Sequence, residues 1–158
     1  MKSIVRDFIE YSGISDYLPD NAVAFKHLNV QDNMILLDHH LNIEHIIKAM
    51  AEVSIEDKRL IKTPIATSLE GQRLTGWKLI VEGSIKEKLE YAVCDSGRNI
   101  NVINFTTPFS TYIILPENFN PGRQINVNGY IEDMSIKKID KRSVFKCICL
   151  LLNAEIGD

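Results

Sequence analysis

The stretch "WKLIVEGSIKEKLEYAV", residues 77–93, decides the fold. Trp77, Leu79, Val81, Gly83, Ile85, Leu89, Tyr91 and Val93 share one parity; Lys78, Glu82, Ser84, Lys86, Lys88 and Glu90 share the other. Successive side chains of a strand point to opposite faces. Alternation over this length predicts a long antiparallel strand, or a hairpin bent near Gly83, with one face buried.

The same period of two continues toward the C-terminus. "INVINF" and "TPFSTYIILP" follow, the latter with Phe109, Thr111, Ile113 and Leu115 on one side. "QINVNGYIEDMSIKKI" and "SVFKCICLLLNAEI" close the set, and "CDSGRN", "PENFNPGR" and "DKR" supply turns between them. Strands of this length separated by turns predict an antiparallel β-sandwich or a barrel-like core over residues 52–158.

Upstream the spacing changes. "AVAFKHLNVQDNMILL" reads as one or two short strands. In "IVRDFIEY", Ile4, Val5, Phe8, Ile9 and Tyr11 fall near helical spacing, and Gly13 ends the pattern. In "NIEHIIKAMA", Ile43, Ile46, Ile47 and Met50 form one apolar stripe, with Asn42 as N-cap. These segments predict one or two short N-terminal helices. The boundary falls near residue 51, and segment 1–51 is expected to pack on its own core or on a neighbour.

Composition narrows the function classes. The chain has 158 residues, 45% apolar and 25% charged, as in a soluble globular domain. A net charge of −3 argues against a nucleic-acid partner, which needs a basic footprint. "KKIDKR" at 137–142 is broken by Asp140 and reads as a solvated turn. No run has signal-peptide or membrane-span character, so no membrane insertion is expected, and synthesis in a reducing cytoplasm is. Three cysteines, Cys94, Cys147 and Cys149, do not make a secreted disulfide framework. Cys147 and Cys149 point the same way on one strand and read as structural thiols.

Residues that carry chemistry are few. "DHHLNIEHII", residues 38–47, holds Asp38, His39, His40, Glu44 and His45. A helical zinc site of the H-E-x-x-H type needs its histidines at i and i+4, whereas His45 follows His40 at i+5. His39, His40 and His45 are therefore weak metal candidates, and structural polar residues are the main reading. There is no nucleophile elbow and no phosphate-cradling glycine loop. Cys94 stands without a histidine near in sequence, and Glu132 and Asp133 point to opposite faces of a strand. No enzyme activity, catalytic residue or cofactor is expected. Tyr112 and Tyr130 lie on the parity opposite to their apolar neighbours and are candidates for a surface binding face.

The run "EGQRLTGWKLIVEGSIKEKLEYAV", then "PFSTYIILPE", then "YIEDMSIKKIDKRSVFKCICLLLNAEI" resembles the DUF3794 or SPOCS domain, found in spore coat assembly proteins of endospore-forming Firmicutes. "FIEYSGISDYLP" and "NIEHIIKAMAEV" are similar to the segment that precedes the core strands in clostridial members. In similar proteins the place of "LLDHHLNIEHII" usually holds a proline and no histidines. The resemblance implies a non-enzymatic structural or assembly module of the spore envelope (coat, exosporium or appendage). Its partners would be itself, as a homo-oligomer or filament, or other spore envelope proteins. It would be made in the mother-cell cytoplasm and end on the spore surface, where Cys94, Cys147 and Cys149 could crosslink it. The best-known members carry a C-terminal LysM module and bind the ATPase of the coat basement layer. These residues include no such module, so that partner is not carried over. The alternatives are a module binding cortex glycan through Tyr112, Tyr130 or the "NFNPGR" loop, and a metal-binding protein using residues 38–45.

Overall fold

The computed structural model describes residues 2–94 and 99–158. The "CDSGRN" turn lies partly outside them. Eight strands follow in order: β1 Lys2–Arg6, β2 Ile9–Ile14, β3 Ala24–Ile35, β4 Ile43–Thr67, β5 Arg73–Val93, β6 Ile100–Ile114, β7 Ile125–Lys138 and β8 Ser143–Ile156. They form a five-stranded sheet ordered β1-β2-β4-β5-β6 and a three-stranded sheet ordered β3-β8-β7. The protein is thus mostly β, with two sheets and no closed barrel. Neighbours are antiparallel except β2 and β4, which run parallel at Glu10–Ser12 beside Lys48–Met50.

The expected long strand is a single one, β5, unbroken at Gly83. Its odd-numbered face is buried from Leu79 to Val93 and supplies both core clusters. One holds Ile85, Leu89 and Tyr91 with Met134, Ile148 and Leu150 of the other sheet. The second holds Leu79 and Val81 with Ile113, Leu115 and Leu152. Gly83 serves close approach rather than a bend: a Cβ there would lie 2.4 Å from the Ser54 carbonyl oxygen and 2.6 Å from the Phe109 ring.

Neither expected N-terminal helix is present. Residues 4–11 are instead the β1–β2 hairpin. Asp7 and Phe8 at its turn have φ of 51° and 64°. Two consecutive positive φ values give the turn twist that right-twisted strands accept, a place usually marked by Asn-Gly. The buried positions across 43–51 are Ile43, Ile46, Ala49 and Ala51. Their spacing mimics a helix because register shifts between Ile43 and His45, and between Ile46 and Lys48, each insert one residue into β4. Ala51, where the sequence pattern changes, lies inside β4, which runs on to Thr67.

The N-terminal residues pack on their own chain. Tyr11 and Ile14 are buried in the first cluster, beside Ile43 and Ile46. The same segment satisfies backbone groups along the outer edge of β7. Arg6 donates to the Met134 carbonyl at 3.3 Å, and Ser15 N–H donates to the Ile131 carbonyl at 2.9 Å. The Ile131 N–H donates in turn to Ser15 Oγ at 3.0 Å. The buried Tyr11 hydroxyl accepts from Ile136 N–H at 3.0 Å and donates to its carbonyl at 3.3 Å.

Tyr11→Phe leaves both Ile136 groups buried and unmet, a cost of about 1–3 kcal/mol. At about 2–4 °C per kcal/mol for a domain of this size, calorimetry should show the midpoint lowered by about 2–12 °C. An unchanged midpoint would mean that the hydroxyl contributes nothing there.

Candidate functional site

Two charged side chains occupy the inward parity of facing strands. Glu87 lies between Ile85 and Leu89 on β5, and Lys146 lies between Val144 and Ile148 on β8, with side chains 3% and 2% exposed. The Lys146 ammonium donates to Glu87 Oε2 and to Thr107 Oγ1 of β6. Thr107 donates to the same Glu87 oxygen at 2.9 Å. An Asp32 oxygen on β3 is 4.0 Å from the ammonium, and the centre of the Phe105 ring is 4.1 Å away. Glu87 Oε1 is buried and has no hydrogen-bond partner among the described residues. Burial pushes the Glu87 carboxyl above its usual range, and the hydrogen bond and charge of Lys146 oppose that rise. The cluster joins β3, β5, β6 and β8 and so ties the two sheets in one relative position. The sequence reading passed over both residues, although each is a charge where alternation calls for an apolar side chain.

The histidines do not converge. His39 and His40 sit in the loop before β4, their ring centres 4.1 Å apart. That loop is organised by Arg142, which donates to the carbonyls of Leu37 at 2.7 Å and His40 at 2.5 Å, and to Asn42 Oδ1 at 3.1 Å. His45 is exposed on β4, paired in register with Ala92. Among the described residues no group of three or more His, Cys, Asp or Glu is placed to hold a metal ion.

The remaining candidates lie apart from one another. Tyr112 is half-buried, with the Lys26 and Lys78 ammonium groups 4.4 Å and 4.2 Å from its ring centre. Tyr130 is half-buried and meets Tyr17 edge-to-face at 6.3 Å. Cys147 and Cys149 are half-buried on β8, Cys94 is exposed, and all three are free thiols. Burial, followed by the neighbouring Cys147, raises the Cys149 pKa, which makes its thiolate scarcer.

Part of the outer edge of β4 is open, although β4 lies inside its sheet. Strand β2 accompanies it only at Lys48–Met50. The chain then crosses to β7 at Ser15, and beyond Ala51 no strand among the described residues is hydrogen-bonded to the outer edge of β4. A groove of about 560 Å³ follows that edge, lined by Tyr17, Val53, Ile55, Val127, Gly129 and Tyr130, among others. Backbone direction alternates along a strand. The Ala51 carbonyl faces Gly13 of β2 while the Ser54 carbonyl faces Gly83 of β5. Val53, of Ala51's parity, therefore presents its N–H and C=O to the groove.

These features define a two-sheet β domain whose charge cluster is locked inside and whose open polar groups lie along strand edges. The chain belongs to the SipL, SPOCS domain family, whose model matches residues 42–139, from the start of β4 through β7. Neither the curated proteins nor the solved structures gave a match. The family points to a role connected with sporulation. No helix among the described residues is long and apolar enough to cross a membrane.

Proposed function

We propose that the chain is a structural assembly module of the spore envelope. It pairs its strand edges with further copies of itself or with other envelope proteins, and it catalyses no reaction. It acts in the mother-cell cytoplasm first and on the spore surface afterwards. The observation that carries this reading is the outer edge of β4 beyond Ala51, where backbone groups face a groove walled by β7 and no hydrogen-bonded strand is present among the described residues. An unpaired edge is a template for β-addition, and the family supplies the sporulation context. Light scattering and electron microscopy of untagged protein test it. Assemblies that grow with concentration are expected; monomers throughout would overturn self-association.

A glycan-binding role is the second reading, favoured by Tyr17, 74% exposed and edge-to-face with Tyr130 at the groove. Aromatic faces with a polar tip suit sugar rings. Retention on cortex peptidoglycan, lost in Tyr17→Ala, would establish it.

A further inference from the structure

The two ends of β4 carry complementary features. At its C-terminal end the β4–β5 hairpin forms an arm whose tip, residues 64–72, is exposed throughout. Two of its residues are large and apolar: Ile65 is 84% exposed and Leu69 109%. Ile65 lies over Gly76 on one side, and neither side chain belongs to a core cluster among the described residues. Glu70 beside Leu69 has no ion-pair partner among the described residues, whereas nearby Arg73 is paired with Glu117.

At the other end of β4 lies a cleft of about 510 Å³ lined by Asp7, Phe8, Ile9, His45, Ile46 and Lys138. Phe8 is 97% exposed. The floor is apolar. Lys138 donates to the Glu44 carbonyl at 2.7 Å and makes no close ion pair among the described residues, although its charge also reaches Asp140. Lys138 supplies the positive charge of the rim and Asp7 the negative one.

We propose that the arm tip of one copy docks in this cleft of the next, with Leu69 and Ile65 on Phe8, Ile9 and Ile46, and Glu70 beside Lys138. This inference rests on the self-association reading and names a contact for it. Two observations commit the occupant to a second copy. Apolar tip meets apolar cleft, and the Glu70 carboxylate of the tip meets the Lys138 ammonium of the rim, neither of which makes a close ion pair among the described residues. Nor can one molecule make the contact with itself. Ile46 and Ile65 are separated by about 60 Å of chain at ~3.3 Å per residue on a single strand. A contact between two different patches is heterologous and propagates into an open chain of subunits unless rotation closes it. A tip of this size buries less than the ~1,000 Å² of a stable interface, so alone it gives weak, concentration-dependent association.

Sedimentation of the full chain from micromolar to near-millimolar concentration tests this. Leu69→Asp should weaken association by about tenfold or more, since it replaces buried apolar area with a charge. Its exposure means that the fold and melting midpoint stay unchanged. Glu70→Lys and Lys138→Glu should each weaken association, and an equimolar mixture of the two should restore it. If Leu69→Asp associates like the unmodified chain, or the mixture fails to recover, the arm contact is overturned while edge pairing stands. If the unmodified chain is monomeric at every concentration, the self-association reading falls with it.

Discussion

Lys146→Met should lower the thermal midpoint by about 6–20 °C. Removing one partner of a buried ion pair costs about 3–5 kcal/mol, because the other charge stays behind in a medium that solvates it poorly. For a domain of this size each kcal/mol is worth about 2–4 °C. Glu87 would be left with only the Thr107 hydroxyl, and Oε1 already has no hydrogen-bond partner among the described residues. The exposed pair Arg73–Glu117 makes the contrast, with side chains 64% and 58% exposed. Solvent screens such a pair, and Arg73→Ala should stay within about 1 kcal/mol of the original. The double variant Lys146→Met, Glu87→Leu should recover most of the loss, since apolar residues of similar size often replace a buried pair at little cost.

The same variant should change the pH dependence of stability in a definite direction. The Glu87 carboxyl is raised in the folded protein, so the folded state holds that proton more tightly. The stability this group provides is complete below the unfolded carboxylate value of about 4.3 and is lost as pH rises through the raised value. Lys146 is the main force holding the value down, and Asp32 pushes it up. Without Lys146 the rise is larger and so is the loss at high pH. The deficit of Lys146→Met should therefore be smaller at pH 5 than at pH 8. Equal deficits at both would show that Glu87 does not carry it.

How much of this was legible in the sequence depended on whether neighbouring strands disturbed the local pattern. Strand β5 was legible from its alternation, because it is paired on both sides and one face is buried from Leu79 to Val93. The start of β4 was not, because two bulges turn a period of two into spacings of three that match a helix. The β1–β2 hairpin was obscured by its turn: Asp7 and Phe8 adopt positive φ without a glycine to mark it. The Glu87–Lys146 pair was legible in principle, as two charges on apolar parities, but pairing them needed the register that brings β5 opposite β8. The open edge of β4 had no local signal at all. It exists because β2 leaves after Ser12, a consequence of how the chain crosses between sheets.

Gly13 sits at that departure, and Gly13→Ala should be among the most damaging single changes. Its φ is +115°, and a Cβ there would lie 2.1 Å from the Ala51 carbonyl oxygen. The left-handed backbone costs roughly 1–2 kcal/mol for a residue with a Cβ, and overpacking against fixed atoms adds about 1–3 kcal/mol. The obstacle is backbone, so no side chain can rotate away. Either β2 or β4 must shift, which loosens the Tyr11 and Ile14 contacts on one side and the Ser15 link to β7 on the other. The expected fall in midpoint is about 4–20 °C. Gly71→Ala separates the two causes. Gly71 has φ of +85° with nothing within 4 Å of its would-be Cβ, so it carries the backbone cost alone. If Gly13→Ala melts no lower than Gly71→Ala, the close approach of Gly13 to the Ala51 carbonyl is not what holds the N-terminal hairpin in place. The open edge of β4 would then need another explanation.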